Sequence, residues 1–77
     1  MRVFTVFDKV ARSYSAPMLA KNDDEAGRMF QLSVQNLSYC EDYVLFDIGF
    51  FDPETGELKG TGLVEKPFVV VYKELKQ

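Results

Sequence analysis

Asp52, Glu54 and Glu57 cluster about a Pro–Gly turn and form the most site-like group of side chains in the sequence. A calcium loop of the EF-hand type needs glycine at its sixth position, and Gly56 is the fifth residue counted from Asp52. The stretch therefore reads as a solvated acidic hairpin turn. Asp47 is a second candidate, because it stands among apolar residues in Asp42–Phe51. Buried alone, it would have a raised pKa. One carboxylate without a titrating partner makes no acid–base pair, so Asp47 is expected to face solvent or to pair with a lysine of the next strand. Histidine, the commonest general base and metal ligand, is absent from the sequence. Cys40 is the single cysteine, which excludes an internal disulfide and fits a reducing cytosol. It reads as a buried structural thiol. No glycine-rich phosphate loop, nucleophile elbow, cysteine pair or His/carboxylate spacing occurs. The expectation is a protein that is not an enzyme and takes no cofactor, metal or small-molecule substrate.

Aromatic and basic residues offer a different chemistry. A sheet face carrying exposed rings can stack unpaired bases, and cations around it can hold phosphates. Tyr14, Tyr43, Phe51 and Tyr72 are the candidate stackers; Arg2, Lys9, Arg12, Lys21 and Lys66 are the candidate phosphate contacts. The charge balance opposes this reading. Net charge is −3, the isoelectric point is about 4.8, and no aromatic motif of the RRM type occurs. Charge is also segregated along the chain. Residues 1–21 hold Arg2, Lys9, Arg12 and Lys21 against Asp8, whereas residues 22–57 hold nine acids against Arg28. By themselves the residues favour burial of a second apolar face in a symmetric dimer or against another protein.

These residues need elements to place them. Seventy-seven residues, 47% of them apolar and including seven Phe and four Tyr, make one domain near the lower size limit for a core. The apolar runs are short, as in Phe68–Tyr72, and a membrane-spanning helix needs about 20 such residues. Met1–Asp8 also lacks the long apolar region and cleavage site of a signal peptide.

Arg2–Asp8 alternates as a strand, Lys9–Ser13 turns the chain, and a second strand is predicted from about Tyr14 to Ala20. Pro17 restricts its pairing. Asn22-Asp-Asp-Glu25 is a helix start: Asn22 can cap, Glu25 can reach back to the cap, and the acids suit the positive end of the dipole. Ala26, Met29, Phe30, Ser33, Val34 and Leu37 recur on one helical face, with an end near Asn36. Asp42–Phe51 reads as a long central strand. Val44, Phe46, Ile48 and Phe50 point one way; Tyr43, Leu45, Asp47, Gly49 and Phe51 point the other. Both faces carry apolar bulk, and a covering partner is expected over Tyr43, Leu45 and Phe51.

Pro53 and Gly56 then suit a bulge-type hairpin turn. Glu57–Leu63 is predicted as a short, glycine-weakened strand, Pro67–Tyr72 as a last one, and residues 73–77 as a polar tail. The predicted fold class is α+β. It is a two-layer domain with an antiparallel sheet of four or five strands and one helix on one face, in the order β-β-α-β-β-(β).

Two separated groups of residues carry a family resemblance. The first is Phe7-Asp-Lys9, Tyr14, Pro17 and Ala20-Lys-Asn-Asp-Asp-Glu-Ala26, with Arg28 and Phe30. The second is Tyr43, Leu45, Ile48-Gly49 and Phe51-Asp-Pro-Glu-Thr-Gly56. Together they resemble the small nonstructural protein of gokushovirus-type microviruses, which are single-stranded DNA phages. The resemblance covers roughly residues 1–57. It implies a non-enzymatic, DNA-binding protein in the cytoplasm of the bacterial host, with a part in the switch to single-stranded genome synthesis. The matched residues are turns, a helix cap and core positions, so the resemblance assigns no DNA contact. Single-stranded DNA is the partner it implies; a homodimer or a viral or host replication protein is the alternative.

Overall fold

The computed structural model describes residues 1–66. The predicted strand Pro67–Tyr72, with Tyr72, and the tail 73–77 lie outside the described residues. Five strands and one helix follow in order: β1 (Arg2–Asp8), β2 (Ser13–Tyr14), β3 (Met18–Ala20), α1 (Asp23–Val34), β4 (Tyr43–Phe51) and β5 (Leu58–Lys66). A single 3-10 turn, Cys40–Asp42, leads into β4. All strand pairs are antiparallel. The class is α+β, as the element pattern predicts.

β1 pairs with β4 along one side. Along its other side β2 takes its C-terminal end and β3 its N-terminal end. β4 pairs on its far side with β5, which makes β1 and β4 the inner strands. The single strand predicted over Tyr14–Ala20 is thus two. Ser15 supplies the reason: its Oγ accepts the Val6 N–H at 3.0 Å, while its carbonyl accepts from Thr5 Oγ1 at 2.8 Å. The Ser15 N–H still donates to the Val6 carbonyl at 2.8 Å, so side-chain bonds replace only part of the ladder there, and Pro17 has no N–H to resume it.

Helix α1 starts where its cap dictates. Asn22 Oδ1 accepts the Glu25 N–H at 2.8 Å. The Glu25 carboxylate accepts from the Lys21 N–H at 3.2 Å, one residue before the cap itself. Ala26, Gly27, Phe30 and Val34 are buried, and Met29 and Leu37 pack against the core. Ser33 is exposed, contrary to the periodic expectation; its hydroxyl bonds back to the Met29 carbonyl at 2.8 Å. The core joins Ala26, Phe30 and Val34 of the helix to Phe4, Ala20, Cys40 and Leu45.

The register of β4 corrects the predicted facing of its residues. Val3 pairs with Gly49 and Phe4 with Asp47, so Ile48 is an extra residue opposite β1. A bulge of one residue breaks the two-residue period, and the strict alternation predicted over Tyr43–Phe51 holds only as far as Asp47. Leu45 lies in the core rather than under an external partner, and Tyr43 packs against that core. β5 also differs from expectation. It runs through Gly60 and Gly62 to Lys66, beyond the predicted end at Leu63.

Candidate nucleic-acid interface

The β1–β2 hairpin places its side chains by local chemistry. Asp8 Oδ1 accepts the N–H groups of Val10 at 3.0 Å and Ala11 at 3.2 Å, and the Arg12 N–H closes the loop onto the Asp8 carbonyl at 2.8 Å. Lys9 and Arg12 are both exposed in this turn, and among the described residues neither enters an ion pair. Immediately beyond the turn, Phe7 faces Tyr14 in the ladder and Val44 on the other side. Phe46, two residues along β4 from Val44, lies on the face opposite Leu45. Three rings therefore meet. Phe7 and Tyr14 have centroids 4.7 Å apart, and Phe46 approaches Tyr14 at 6.1 Å and Phe7 at 6.5 Å in edge-on contacts. Tyr14 is 48% exposed. This is an aromatic surface bordered by two unengaged cations.

The other candidate residues are placed differently. Tyr43 is half-buried with the core and 6.1 Å from Tyr39. Burial and the neighbouring Asp8 push its phenol pKa up. Phe51 is half-buried at the end of β4, where its N–H bonds to the Met1 carbonyl at 2.7 Å. Neither ring joins the Phe7–Tyr14–Phe46 group.

Arg2, Lys21 and Lys66 are brought together around an open depression of about 600 Å³, but Asp23, Asp24 and Asp47 line it too. Arg2 grips Asp47 with two nitrogens, Nε to Oδ2 at 2.9 Å and Nη2 to Oδ1 at 2.8 Å. Those bonds raise the Arg2 pKa further. Lys66 Nζ lies 3.0 Å from Asp23 Oδ2. The depression is a site of paired charges, so two of its three cations are committed to carboxylates.

Asp47 itself is buried, at 3% exposure. Its partner is an arginine on β1, where the sequence suggested a lysine on the next strand or solvent. Its Oδ1 also accepts the Gly49 N–H at 3.1 Å, so one carboxylate ties Arg2 to the bulge. At the acidic turn, Asp52 Oδ1 accepts the Glu54 N–H at 2.9 Å, and Gly56 has φ 78° as the hairpin chemistry requires. That backbone hydrogen bond lowers the Asp52 pKa. Among the described residues no three His, Cys, Asp or Glu side chains are placed to hold a metal ion.

Phe7 and Phe46 are the members of the aromatic surface that the candidate list lacks. The signal for Phe7 was present: it and Tyr14 flank a polar turn, which places them opposite each other in a hairpin. Phe46 required the pairing of β1 with β4, which no local pattern gives.

A small α+β protein with an aromatic sheet surface and no helix, among the described residues, long and apolar enough to cross a membrane is thus defined. The family described as Phage ORF5 protein matches residues 1–73. The chain belongs to that family and is a bacteriophage protein. No curated protein and no solved structure matches it.

Proposed function

We propose that this phage protein is a non-enzymatic, nonstructural protein of a gokushovirus-type microvirus. In this reading it acts in the host cytoplasm, binding single-stranded DNA and assisting viral genome replication or the switch to single-strand synthesis. The bases stack on the Phe7 side of the sheet, opposite the Leu45 side that joins the core. The observation that carries the reading is the Phe7–Tyr14–Phe46 surface beside Lys9 and Arg12. Base–aromatic stacking is worth roughly 1–3 kcal/mol per base and tolerates any sequence.

The ion pairs sharpen the expected salt dependence. With Lys9 and Arg12 as the phosphate contacts, log K should fall against log salt with a slope of about −1.4. Fluorescence anisotropy of a dye-tagged oligo-dT, titrated with folded protein to tens of micromolar, reads both affinity and slope. Absence of binding at low salt sinks the reading. A slope of about −3 means about four phosphate contacts, so that cations beyond Lys9 and Arg12 also meet the DNA.

A second reading, a protein-interaction module that forms a homodimer or docks on a viral or host replication protein, is supported by β5. Leu58, Leu63 and Val64 are 66%, 56% and 45% exposed there. Such apolar exposure on one element favours a protein partner. Light scattering after size exclusion distinguishes a homodimer from a monomer.

A further inference from the structure

Arg12 has φ 56°, and among the described residues it is the sole non-glycine with positive φ. Left-handed backbone crowds an L side chain against the following carbonyl, and glycine would occupy the position without that cost. The turn imposes the conformation through the Arg12 N–H bond to the Asp8 carbonyl and the two bonds to the Asp8 carboxylate. The cost is therefore borne by a residue with a long, exposed, charged side chain that enters no ion pair among the described residues. Backbone outliers of this kind concentrate where a side chain is needed for binding.

The other arginine near the termini is not available in the same way. Arg2 is held in two bonds by the buried Asp47. Arg12 leads directly into Ser13–Tyr14, so its position is fixed relative to the Phe7–Tyr14 ring pair. A planar guanidinium with five N–H donors matches phosphate oxygens in pairs, a match the lysine ammonium does not reproduce.

We infer that Arg12 is the residue that grips the phosphate of the nucleotide stacked on Tyr14, and that the turn retains a strained arginine for this contact. The inference rests on the proposed single-strand binding and assigns its main phosphate contact. It separates stability from function: Arg12→Gly relieves the backbone while removing the contact. In thermal melts Arg12→Gly should raise Tm by about 4 °C. Against oligo-dT at about 50 mM salt it should bind about five- to tenfold more weakly, with the salt slope reduced by about 0.7. Arg12→Asn, which also tolerates this backbone and is uncharged, should repeat the loss of affinity and slope. Arg12→Lys keeps the charge and should retain the slope, with a smaller loss of affinity. Wild-type binding with unchanged affinity and slope in Arg12→Gly and Arg12→Asn overturns the inference alone. Failure of the wild-type protein to bind overturns the underlying reading and the inference with it.

Discussion

Asp47 shows how one buried carboxylate is made stable by three donors. Arg2 supplies two of them, and the backbone N–H of Gly49 the third. Its burial would be costly for an unpaired charge, and removing one partner of a buried pair costs about 3–5 kcal/mol. Arg2→Ala is therefore expected to destabilise the fold, by less than a fully buried pair would because the Arg2 side chain is 35% exposed. Urea unfolding near neutral pH measures it. Removing Asp47 as well should recover part of the loss, because the double variant leaves no buried charge behind. An unchanged unfolding midpoint in Arg2→Ala would show that the pair does not hold the bulge. The same pairing explains why Arg2 is a poor DNA contact despite its charge.

At the scale of elements, β4 and β5 approach closely where Gly49 lies opposite Gly60. A Cβ at Gly49 would collide with the Lys59 carbonyl oxygen, which is backbone and cannot turn aside. Gly49→Ala should therefore cost about 1–3 kcal/mol, as overpacking does. The same change at Gly60, whose Cβ would just reach the Ile48 carbonyl oxygen at 4.0 Å, should cost less. Urea midpoints of the two variants give the comparison, and equal losses would refute the steric account. The bulge at Ile48 and this contact act together, since both shape the inner strand at its C-terminal half. The hairpin at the other end of β1 is closed by the Asp8 bonds and tied to the start of β4 by the Lys9 N–H on the Asp42 carbonyl at 2.9 Å, and it leaves the Lys9 and Arg12 side chains exposed.

For the whole molecule, the sheet separates two sets of aromatic rings. Tyr14 belongs to the Phe7–Phe46 surface, while Tyr43 packs against the core. Tyr14→Ala should weaken oligo-dT binding by about 1–3 kcal/mol with a small change in stability. Tyr43→Ala should lower the unfolding midpoint and leave the affinity of the folded fraction unchanged. Anisotropy and urea titrations on both variants decide the matter; reversed effects would move the binding surface to the Tyr43 side. The acidic total charge is compatible with a local basic turn, because charges beyond about 8–10 Å are largely screened at physiological salt.

The sequence alone determined what local chemistry controls. Asn22 and Glu25 set the helix start, Pro53 and Gly56 set the β4–β5 turn, and the apolar spacing of Ala26, Phe30 and Val34 set the buried helix face. It also carried a resemblance to a phage protein, and the chain belongs to a phage protein family. Tertiary structure alone decided which residues cooperate across strands. The break at Ser15–Pro17 and the extra residue at Ile48 are register events, and register depends on partners distant in sequence. Arg2 and Asp47 meet only because β1 lies against β4, and Phe46 reaches Tyr14 for the same reason. That pairing took Arg2 out of the set of available cations, as the approach of β5 to α1 took Lys66, and Lys9 and Arg12 remain in the turn next to the rings. Residue type named the candidates; strand pairing chose among them.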